Sequence, residues 1–245
     1  MKKKILIFSG AGLDKESGVE TFRDSKDGLW NNNKIEDVAT INGWYRDREK
    51  VLNFYNMRRS QLKNVEPNIA HKIIAELEND YDVTVVTQNV TDLHKRAGST
   101  NIIHLHGELK KVRSTLNPSL IYDWEGDCNI GDKCERGSQL RPHIVWFGEE
   151  LNQSNMDRAL DAAKNCDICI IVGTSMQVSP ANSIPFLTKE TATIYYVDPS
   201  DADFYVAEYR RDFFHHYKEA ASTGMEKVKN DLQNKTWKKN ITKIY

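Results

Sequence analysis

The chain has 245 residues, of which 39% are hydrophobic, and its formal net charge is −1. A chain of this length can bury a sizeable core, and it fits one α/β domain with a small insertion. The near-neutral charge gives no general attraction to nucleic acid or to an anionic membrane, so we expect neither as a partner. No apolar stretch is long enough for a membrane span or a signal-peptide core, and we expect a cytoplasmic protein.

Apolar runs that predict buried strands alternate with helix-like segments along most of the chain. The strands are predicted at residues 5–8, 83–86, 102–105, 168–172 and 194–197. This alternation is typical of a Rossmann-like, largely parallel sheet with helices on both faces, which binds ligands beyond the carboxyl ends of its strands. Residues 109–141 are rich in Gly, Asp, Asn and Ser and interrupt the alternation. We predict one domain over residues 1–245, with a small module inserted at about 109–141.

The first predicted strand ends in three small residues, Gly10, Ala11 and Gly12. Small residues let the backbone turn sharply and approach a ligand closely. Their N–H groups, together with a helix N-terminus, can bind an anion, and Arg23 can add a permanent cation. A strand followed by Gly-x-Gly is weak evidence alone, because a tight turn in an ordinary α/β domain has the same pattern.

The pattern continues well beyond these glycines. The string GAGLDKESGVETFRD, followed by Gly28-Leu29-Trp30, resembles the cofactor loop of the sirtuins, which are NAD-dependent protein deacylases. The sirtuin pattern is close to GAGxSxESGxxTFR. The resemblance implies that NAD binds the following residues of this loop, with Phe22 covering the reaction site: Gly10, Ala11, Gly12, Glu16, Ser17, Thr21, Phe22, Arg23 and Trp30.

A helix is predicted over residues 47–64, on which Val51, Tyr55, Arg58 and Leu62 share one face. An arginine on an apolar face needs a partner. A neighbouring carboxylate can supply it in a structural salt bridge, or the arginine stem can simply cover apolar surface. The string FYNMRR resembles the Tyr-x-x-Arg signature of the bacterial class III sirtuin branch, which removes succinyl, malonyl and similar acidic acyl groups. We therefore favour Tyr55 and Arg58 as a binding site for an acyl carboxylate.

The second predicted strand leads into TQNVTDLHKRAG, which resembles the sirtuin motif TQN(I/V)DxLHxRAG. The resemblance implies that Gln88, Asn89, Val90 and Thr91 bind NAD, with Gln88 and Asn89 orienting its ribose and nicotinamide. Thr91 stands where the family has an aspartate that helps to hold the nicotinamide carboxamide.

Two histidines follow in the string HLHGE. Strand alternation predicts that His104, His106 and Glu108 share one face. A lone histidine is more often structural than catalytic, but His106 precedes Gly107 as in the sirtuin motif (E/H)-x-HG. The resemblance implies that His106 is the catalytic general base, a role that suits an imidazole whose pKa lies near the working pH.

The chain holds four cysteines, too few for a disulfide scaffold at this length. Cys166 and Cys169 have the spacing of a redox motif, but they lead into an apolar run, and we interpret them as small hydrophobic residues of a strand.

In sirtuins the segment equivalent to residues 109–141 is a zinc module. A structural zinc site needs four nitrogen or sulfur ligands. This segment offers Cys128 and Cys134, with His143 at an unusual spacing. We therefore predict no metal, and a degenerate module held by the packing of Tyr122 and Trp124.

Two later strings complete the resemblance. LRPHIVWFGE resembles the family's LRPxVVxFGE, which implies that Val145, Phe147 and Gly148 bind a substrate peptide by strand addition. GTSMQV resembles GTSxxV. That match implies NAD contacts from Gly173, Thr174 and Ser175. Further on, the family has an acidic residue near a Pro-Ser pair, which here is Asp198 before Pro199, and the resemblance implies that Asp198 also contacts NAD. Tyr196 stands where the family usually has an asparagine.

These motifs predict a sirtuin that uses NAD to remove acyl groups from lysine in a peptide or protein, as a deacetylase, desuccinylase or demalonylase. The implied products are free lysine, nicotinamide and O-acyl-ADP-ribose, and we expect a monomer. Two alternatives stay open. Water or another nucleophile can take the ADP-ribose, as in an NAD glycohydrolase or an ADP-ribosyltransferase. A catalytically weakened NAD sensor is favoured by Thr91 and Tyr196 and opposed by the intact His106.

Overall fold

The computed structural model of the chain describes residues 2–20, 33–201 and 213–234. Its strands are β1 (Lys4–Ser9), β2 (Asp82–Thr87), β3 (Ile102–His104), β4 (Gly107–Ser114), β5 (Ile121–Asp123), β6 (Leu140–Ile144), β7 (Ile168–Val172), β8 (Thr193–Val197) and β9 (Phe214–Tyr217). Its α-helices are α1 (Ala11–Lys15), α2 (Ile35–Val38), α3 (Ile41–Arg46), α4 (Arg48–Gln61), α5 (Ile69–Glu76), α6 (Leu93–Ala97), α7 (Gln153–Asn165) and α8 (Ala221–Asn234). Short 3-10 helices extend α4 and α5, and another spans Ala181–Leu187.

Six strands form one parallel sheet in the order β3-β2-β1-β7-β8-β9. All five predicted strands belong to this sheet, which confirms the predicted α/β class. The sixth strand, β9, was not predicted, because its sequence FHHY is not an apolar run. The order reverses between β1 and β7, and in open α/β sheets such a switch point is where ligands bind.

Helices cover both faces of the sheet, so its central strands are buried on both sides. Ile5 and Ile7 pack on one face with residues of α5 and α8, whereas Leu6 and Phe8 pack on the other with α7. Double burial explains why β1 has a continuous apolar run instead of alternating polarity. Within the described ranges, no helix is long and apolar enough to cross a membrane.

A second, antiparallel sheet has the order β5-β4-β6. Its apolar side chains form one cluster with those of α2, α3 and α4, and both Cys128 and Cys134 are buried there. Tyr122 and Trp124 pack against this cluster, in agreement with the prediction. The sequence predicted the inserted module but not that α2, α3 and α4 supply much of its core. We call the antiparallel sheet and its loops, residues 107–144, the small layer.

Polar contacts fasten one side of α4 to the backbone of the small layer. The buried Arg59 donates from Nε to Leu109 O at 2.8 Å and from Nη1 to Gly126 O at 3.2 Å. Asn56 exchanges two hydrogen bonds with the backbone of Cys128, at 2.9 and 3.1 Å. The position of α4 is therefore set by the small layer, and this matters below because Tyr55 and Arg58 lie on the same helix.

Candidate active site

The loops that follow β1 and β7 pack closely at the switch point. A β-carbon on Gly10 would stand 2.6 Å from Cβ of Thr174, and one on Gly12 would stand 2.9 Å from Cα of Gly173. Gly173 itself has φ of +62°. Larger residues do not fit such an approach, so these glycines are needed first for contact between the two loops.

This contact corrects one expectation from the sequence. The N–H groups of the glycine loop were predicted to bind an anion, but Gly10 N donates to Val172 O at 3.1 Å and Gly12 N donates to Gly173 O at 2.8 Å. Those two donors hold the loops together. The exposed Ala11 remains at the N-terminus of α1, where it can meet a ligand.

Two amide side chains after β2 connect the same loops. Gln88 Nε2 donates to Thr174 Oγ1 at 3.1 Å. The buried Asn89 donates from Nδ2 to Gly10 O at 2.9 Å and to Asp14 Oδ1 at 2.7 Å. Gln88, Asn89 and Thr174, predicted separately as NAD contacts, thus come together at one edge of the sheet.

A buried carboxylate, which the sequence analysis did not single out, lies under this edge. Asp14 Oδ2 accepts from Thr91 Oγ1 at 2.7 Å, and Asp14 Oδ1 lies 3.2 Å from His71 Nε2. Asp14 could have been noticed in the sequence, because it lies inside the cofactor-loop string at the position where the sirtuin pattern has serine.

His106 is held in a defined tautomer. Its Nδ1 lies 3.0 Å from Gln88 O, and because a carbonyl oxygen only accepts, Nδ1 carries the proton and Nε2 keeps its lone pair. Burial lowers the pKa of His106, and the hydrogen bond to Gln88 O partly opposes that shift. His106 is therefore a neutral base at neutral pH. His104 makes a similar backbone contact, with its Nδ1 3.2 Å from Asn89 O, but its Nε2 lies 4.0 Å from Glu108 Oε2.

The segment predicted to bind peptide adjoins this histidine. Val145 N donates to His106 O at 2.9 Å, and Phe147 N donates to Ala39 O at the same distance. The Phe147 side chain is 50% exposed, and Gly148 follows with φ of +88°. The segment for which the sequence predicts peptide binding therefore runs directly beside the histidine.

Tyr55 and Arg58 lie on α4 next to this segment. Tyr55 Oη accepts from Trp146 Nε1 at 3.0 Å, and burial raises the pKa of Tyr55 to about 12. Burial lowers the pKa of Arg58, whereas Tyr55 and the carboxylates of Asp14 and Glu20 raise it. Arg58 also lies 6.0 Å from the Phe54 ring. The guanidinium therefore stands in a partly desolvated, negatively biased environment.

Of the other predicted NAD residues, some have contacts or burial that the structure describes, and four lie outside the described residues. Ser17 Oγ accepts from Asn68 Nδ2 at 3.1 Å, Val90 O accepts from Leu109 N at 2.8 Å, and Ser175 is half-buried after Thr174. Asp198, at the carboxyl end of β8, accepts from Ser200 N at 2.9 Å. Four residues, Thr21, Phe22, Arg23 and Trp30, lie outside the described residues.

Two further side chains have roles that the motifs did not predict. Glu16 Oε2 accepts from Ser222 N at 2.8 Å, which caps the first turn of α8. Tyr196 is buried and its hydroxyl donates to Thr174 O at 3.3 Å, so it holds the backbone of the loop after β7.

The cysteines agree with their structural interpretation. Cys166 and Cys169 are buried in the sheet core. Cys134 Sγ lies 3.2 Å from Ser138 Oγ, and Ser138 Oγ lies 2.6 Å from Ser114 Oγ. These hydrogen bonds lower the pKa of Cys134 to about 7. Among the described residues, no group of three or more His, Cys, Asp or Glu side chains is arranged to hold a metal ion.

We predict that chelation leaves the protein intact. A structural zinc site contributes directly to folding, so its removal would lower the midpoint of thermal unfolding. The small layer has an apolar core instead. Dialysis against EDTA should therefore not shift that midpoint. Elemental analysis of the undialysed protein checks the same prediction. Stoichiometric zinc together with a lowered midpoint after dialysis would contradict it.

The donors and acceptors at the sheet edge suit a dinucleotide. Amides from Gln88 and Asn89, the hydroxyl of Thr174 and the carboxylate of Asp198 follow strands β2, β7 and β8 at one edge of the parallel sheet. Ribose hydroxyls and a carboxamide need such mixed partners, so the residues present fit NAD. The fold and the residues at this edge are those of a dinucleotide-binding α/β protein.

The Sir2 family model matches residues 10–180, so the chain belongs to the Sir2, or sirtuin, family. It is 52% identical over 197 residues to the NAD-dependent protein deacylase of Helicobacter pylori, an alignment that covers 80% of this chain and 85% of that protein. A solved complex of a Sir2 homologue with NAD matches with a TM-score of 0.82 at 36% identity, over 95% of this chain and 90% of that one. A Sir2 complex with a p53 peptide and NAD+ matches with a TM-score of 0.76 at 25% identity, over 95% of each chain.

Proposed function

We infer that the chain is an NAD-dependent protein deacylase, and we propose that it prefers lysine acyl groups that end in a carboxylate. The first statement rests on family membership and on relatives that carry that name. One observation carries the second: Tyr55, three residues before Arg58 on α4, is hydrogen bonded to Trp146 of the predicted peptide segment.

Two contacts connect the groups that the reaction needs. Val145 N is bonded to His106 O, and the next residue, Trp146, is bonded to Tyr55 Oη. An acyl-lysine that adds to the 145–148 segment would therefore lie between the histidine and α4. Arg58, one turn along from Tyr55, shares that side of the helix.

The charge of Arg58 favours an acidic acyl group. A guanidinium stays protonated even when burial lowers its pKa, and it can form two parallel hydrogen bonds to one carboxylate. Tyr55 Oη already accepts from Trp146, so its own proton remains for an acceptor. A salt bridge within the protein is the competing role for Arg58, and acyl preference separates the two.

NAD, when bound, supplies the nicotinamide leaving group and the ribose that accepts the acyl group. We propose that His106 Nε2 removes a proton from a ribose hydroxyl, for which its neutral tautomer is suited. The loops after β1, β2, β7 and β8 would hold the cofactor through the predicted residues, and the 145–148 backbone would hold the peptide. Orientation of the two reactants beside a desolvated base is the main catalytic contribution of the fold.

The test is nicotinamide release by the purified protein with NAD and either succinyl-lysine peptide, acetyl-lysine peptide or no peptide. We expect release that depends on peptide, with kcat/KM at least tenfold higher for succinyl-lysine. Equal or better use of acetyl-lysine would refute the acidic preference and leave the deacylase. Release without peptide would indicate a glycohydrolase, and NAD binding without turnover would indicate a sensor.

We also propose that the protein acts as a monomer in the cytoplasm. The near-neutral charge supports the absence of membrane and nucleic-acid partners. Light scattering of the purified chain would check its monomeric state.

A further inference from the structure

Two departures from the sirtuin motifs meet in the structure. The pattern GAGxSxESGxxTFR has serine at position 14, and TQN(I/V)DxLHxRAG has aspartate at position 91. This chain has Asp14 and Thr91 instead, and Thr91 Oγ1 donates to Asp14 Oδ2 at 2.7 Å. Relative to the two motifs, the hydroxyl and the carboxylate have exchanged positions, and in this chain the two side chains are in contact.

We propose that Asp14 supplies the carboxylate that position 91 lacks, and that it is a positioning residue of the NAD site. This inference rests on the proposed function. It removes the argument from Thr91 for a weakened sensor, because the site keeps one carboxylate at the contact between α1 and the loop after β2.

The surroundings of Asp14 show what the carboxylate positions. Asp14 is buried, with 3% of the residue exposed, and a buried carboxylate needs hydrogen-bond donors. Oδ1 accepts from Asn89 Nδ2 at 2.7 Å and lies 3.2 Å from His71 Nε2, while Oδ2 accepts from Thr91. Two of these partners, Asn89 and Thr91, are predicted NAD contacts. The carboxylate therefore sets the direction of the Asn89 amide.

The neighbouring carboxylate does not serve instead. Asp92 follows Thr91 directly, but its Oδ2 lies 3.0 Å from Lys110 Nζ and its Oδ1 lies 3.8 Å from Arg96 Nη1. Asp92 thus pairs with cations of β4 and α6. Asp14 is consequently the carboxylate that faces the Asn89 amide.

A fixed negative charge here also has an electrostatic role. Breaking the bond to nicotinamide develops positive charge on the ribose, and preorganised charges of opposite sign stabilise such a transition state. The same carboxylate favours the charged form of Arg58. Loss of Asp14 should therefore reduce turnover more than it reduces binding of the ADP-ribose portion.

The experiment compares the intact protein with Asp14→Ser, Thr91→Asp and the double variant Asp14→Ser/Thr91→Asp. Asp14→Ser leaves two hydroxyls and no charge, whereas Thr91→Asp brings two carboxylates into contact, which is unfavourable unless they share a proton. The double variant restores the family arrangement. Asp92→Asn is the matched control, because it removes an adjacent carboxylate that faces away. Each protein is measured by urea unfolding, by calorimetric binding of ADP-ribose and by nicotinamide release with succinyl-lysine peptide.

We expect each single variant to lose at least tenfold in kcat/KM for nicotinamide release, and the double variant to return to within about threefold of the parent. ADP-ribose affinity should change less than threefold in Asp14→Ser. In urea, the double variant should be more stable than the sum of the single changes predicts.

Additive losses of kcat/KM in the double variant would overturn the proposal that Asp14 replaces the carboxylate of position 91. Normal kcat/KM in Asp14→Ser, with lowered stability alone, would show a purely structural carboxylate and overturn the positioning role. Urea unfolding and ADP-ribose binding can be measured without turnover. If the parent protein were inactive, the proposed function would be rejected. The unfolding free energies of the single and double variants would still test whether Asp14 and Thr91 have exchanged roles.

Discussion

The Arg58→Met variant is expected to lose turnover of succinyl-lysine peptide by roughly 10- to 100-fold. A hydrogen bond to a charged group contributes about 1.5–3 kcal/mol, and the guanidinium can form two of them with the acyl carboxylate. Methionine is an unbranched side chain that favours helix, and it can still pack beside the Phe54 ring, which lies 6.0 Å from Arg58 Cζ, so the helix should remain in place. Acetyl-lysine offers no carboxylate, and its turnover should change less than threefold. Steady-state assays with both peptides measure the split.

Two controls separate acyl recognition from other effects of removing an arginine. Arg158→Met removes an exposed charge from α7, near the amino ends of β1 and β2, and should leave both activities unchanged. Arg59→Met removes the contacts to the small layer and should lower stability without changing the ratio of succinyl to acetyl turnover. Parallel loss of both activities in Arg58→Met would favour the structural salt bridge.

The His106→Ala variant is expected to lose about 10²- to 10⁴-fold in the rate of free-lysine formation, the range that general acid–base catalysis contributes. NAD affinity should stay within a few-fold, because the neighbouring contacts of Gln88 and Asn89 to Thr174 and Gly10 remain. His104→Gln is the matched control, since His104 lies beside Glu108, and its loss should be under tenfold. Similar losses in both variants would mean that the histidine pair acts mainly through structure.

The pH profile gives an independent check on the same residue. A general base works in its neutral form, and burial lowers the pKa of His106 below the ordinary value of 6.5. The parent enzyme should therefore keep its kcat/KM as pH falls to 6.5 and lose it only at lower pH. A midpoint above pH 7 would be inconsistent with a buried base.

The sequence predicted the sheet well because double burial leaves a direct signal in each central strand. Strand β7 is a continuous apolar run, ICIIV, and its bounds matched the prediction. Strand β9 has half-buried histidines and no such run, so only its neighbour β8 defines it. The shared core of α2, α3 and α4 with β4 to β6 was also missed, because it joins segments that are far apart in sequence.

Side-chain partners were harder to predict than motif positions. The strings placed Gly10 and Gly12 in the cofactor loop, but only the approach of Gly173 shows that their N–H groups bond to another loop. Asp14 has no visible role until Thr91 and Asn89 lie beside it. Hydrogen-bond partners more than 70 residues apart leave no periodic pattern in a single sequence.

The attachment of α4 to the small layer has a consequence for how specificity can change. Arg59 and Asn56 fix this helix to the backbone at residues 109, 126 and 128, whereas the glycine loop is fixed to the large sheet. The predicted acyl-selecting residues and the predicted nucleotide contacts thus belong to separately supported parts of one chain. A chimaera that exchanges the small layer together with α4 would transplant the preference for the acyl group and retain the nucleotide-binding half unchanged.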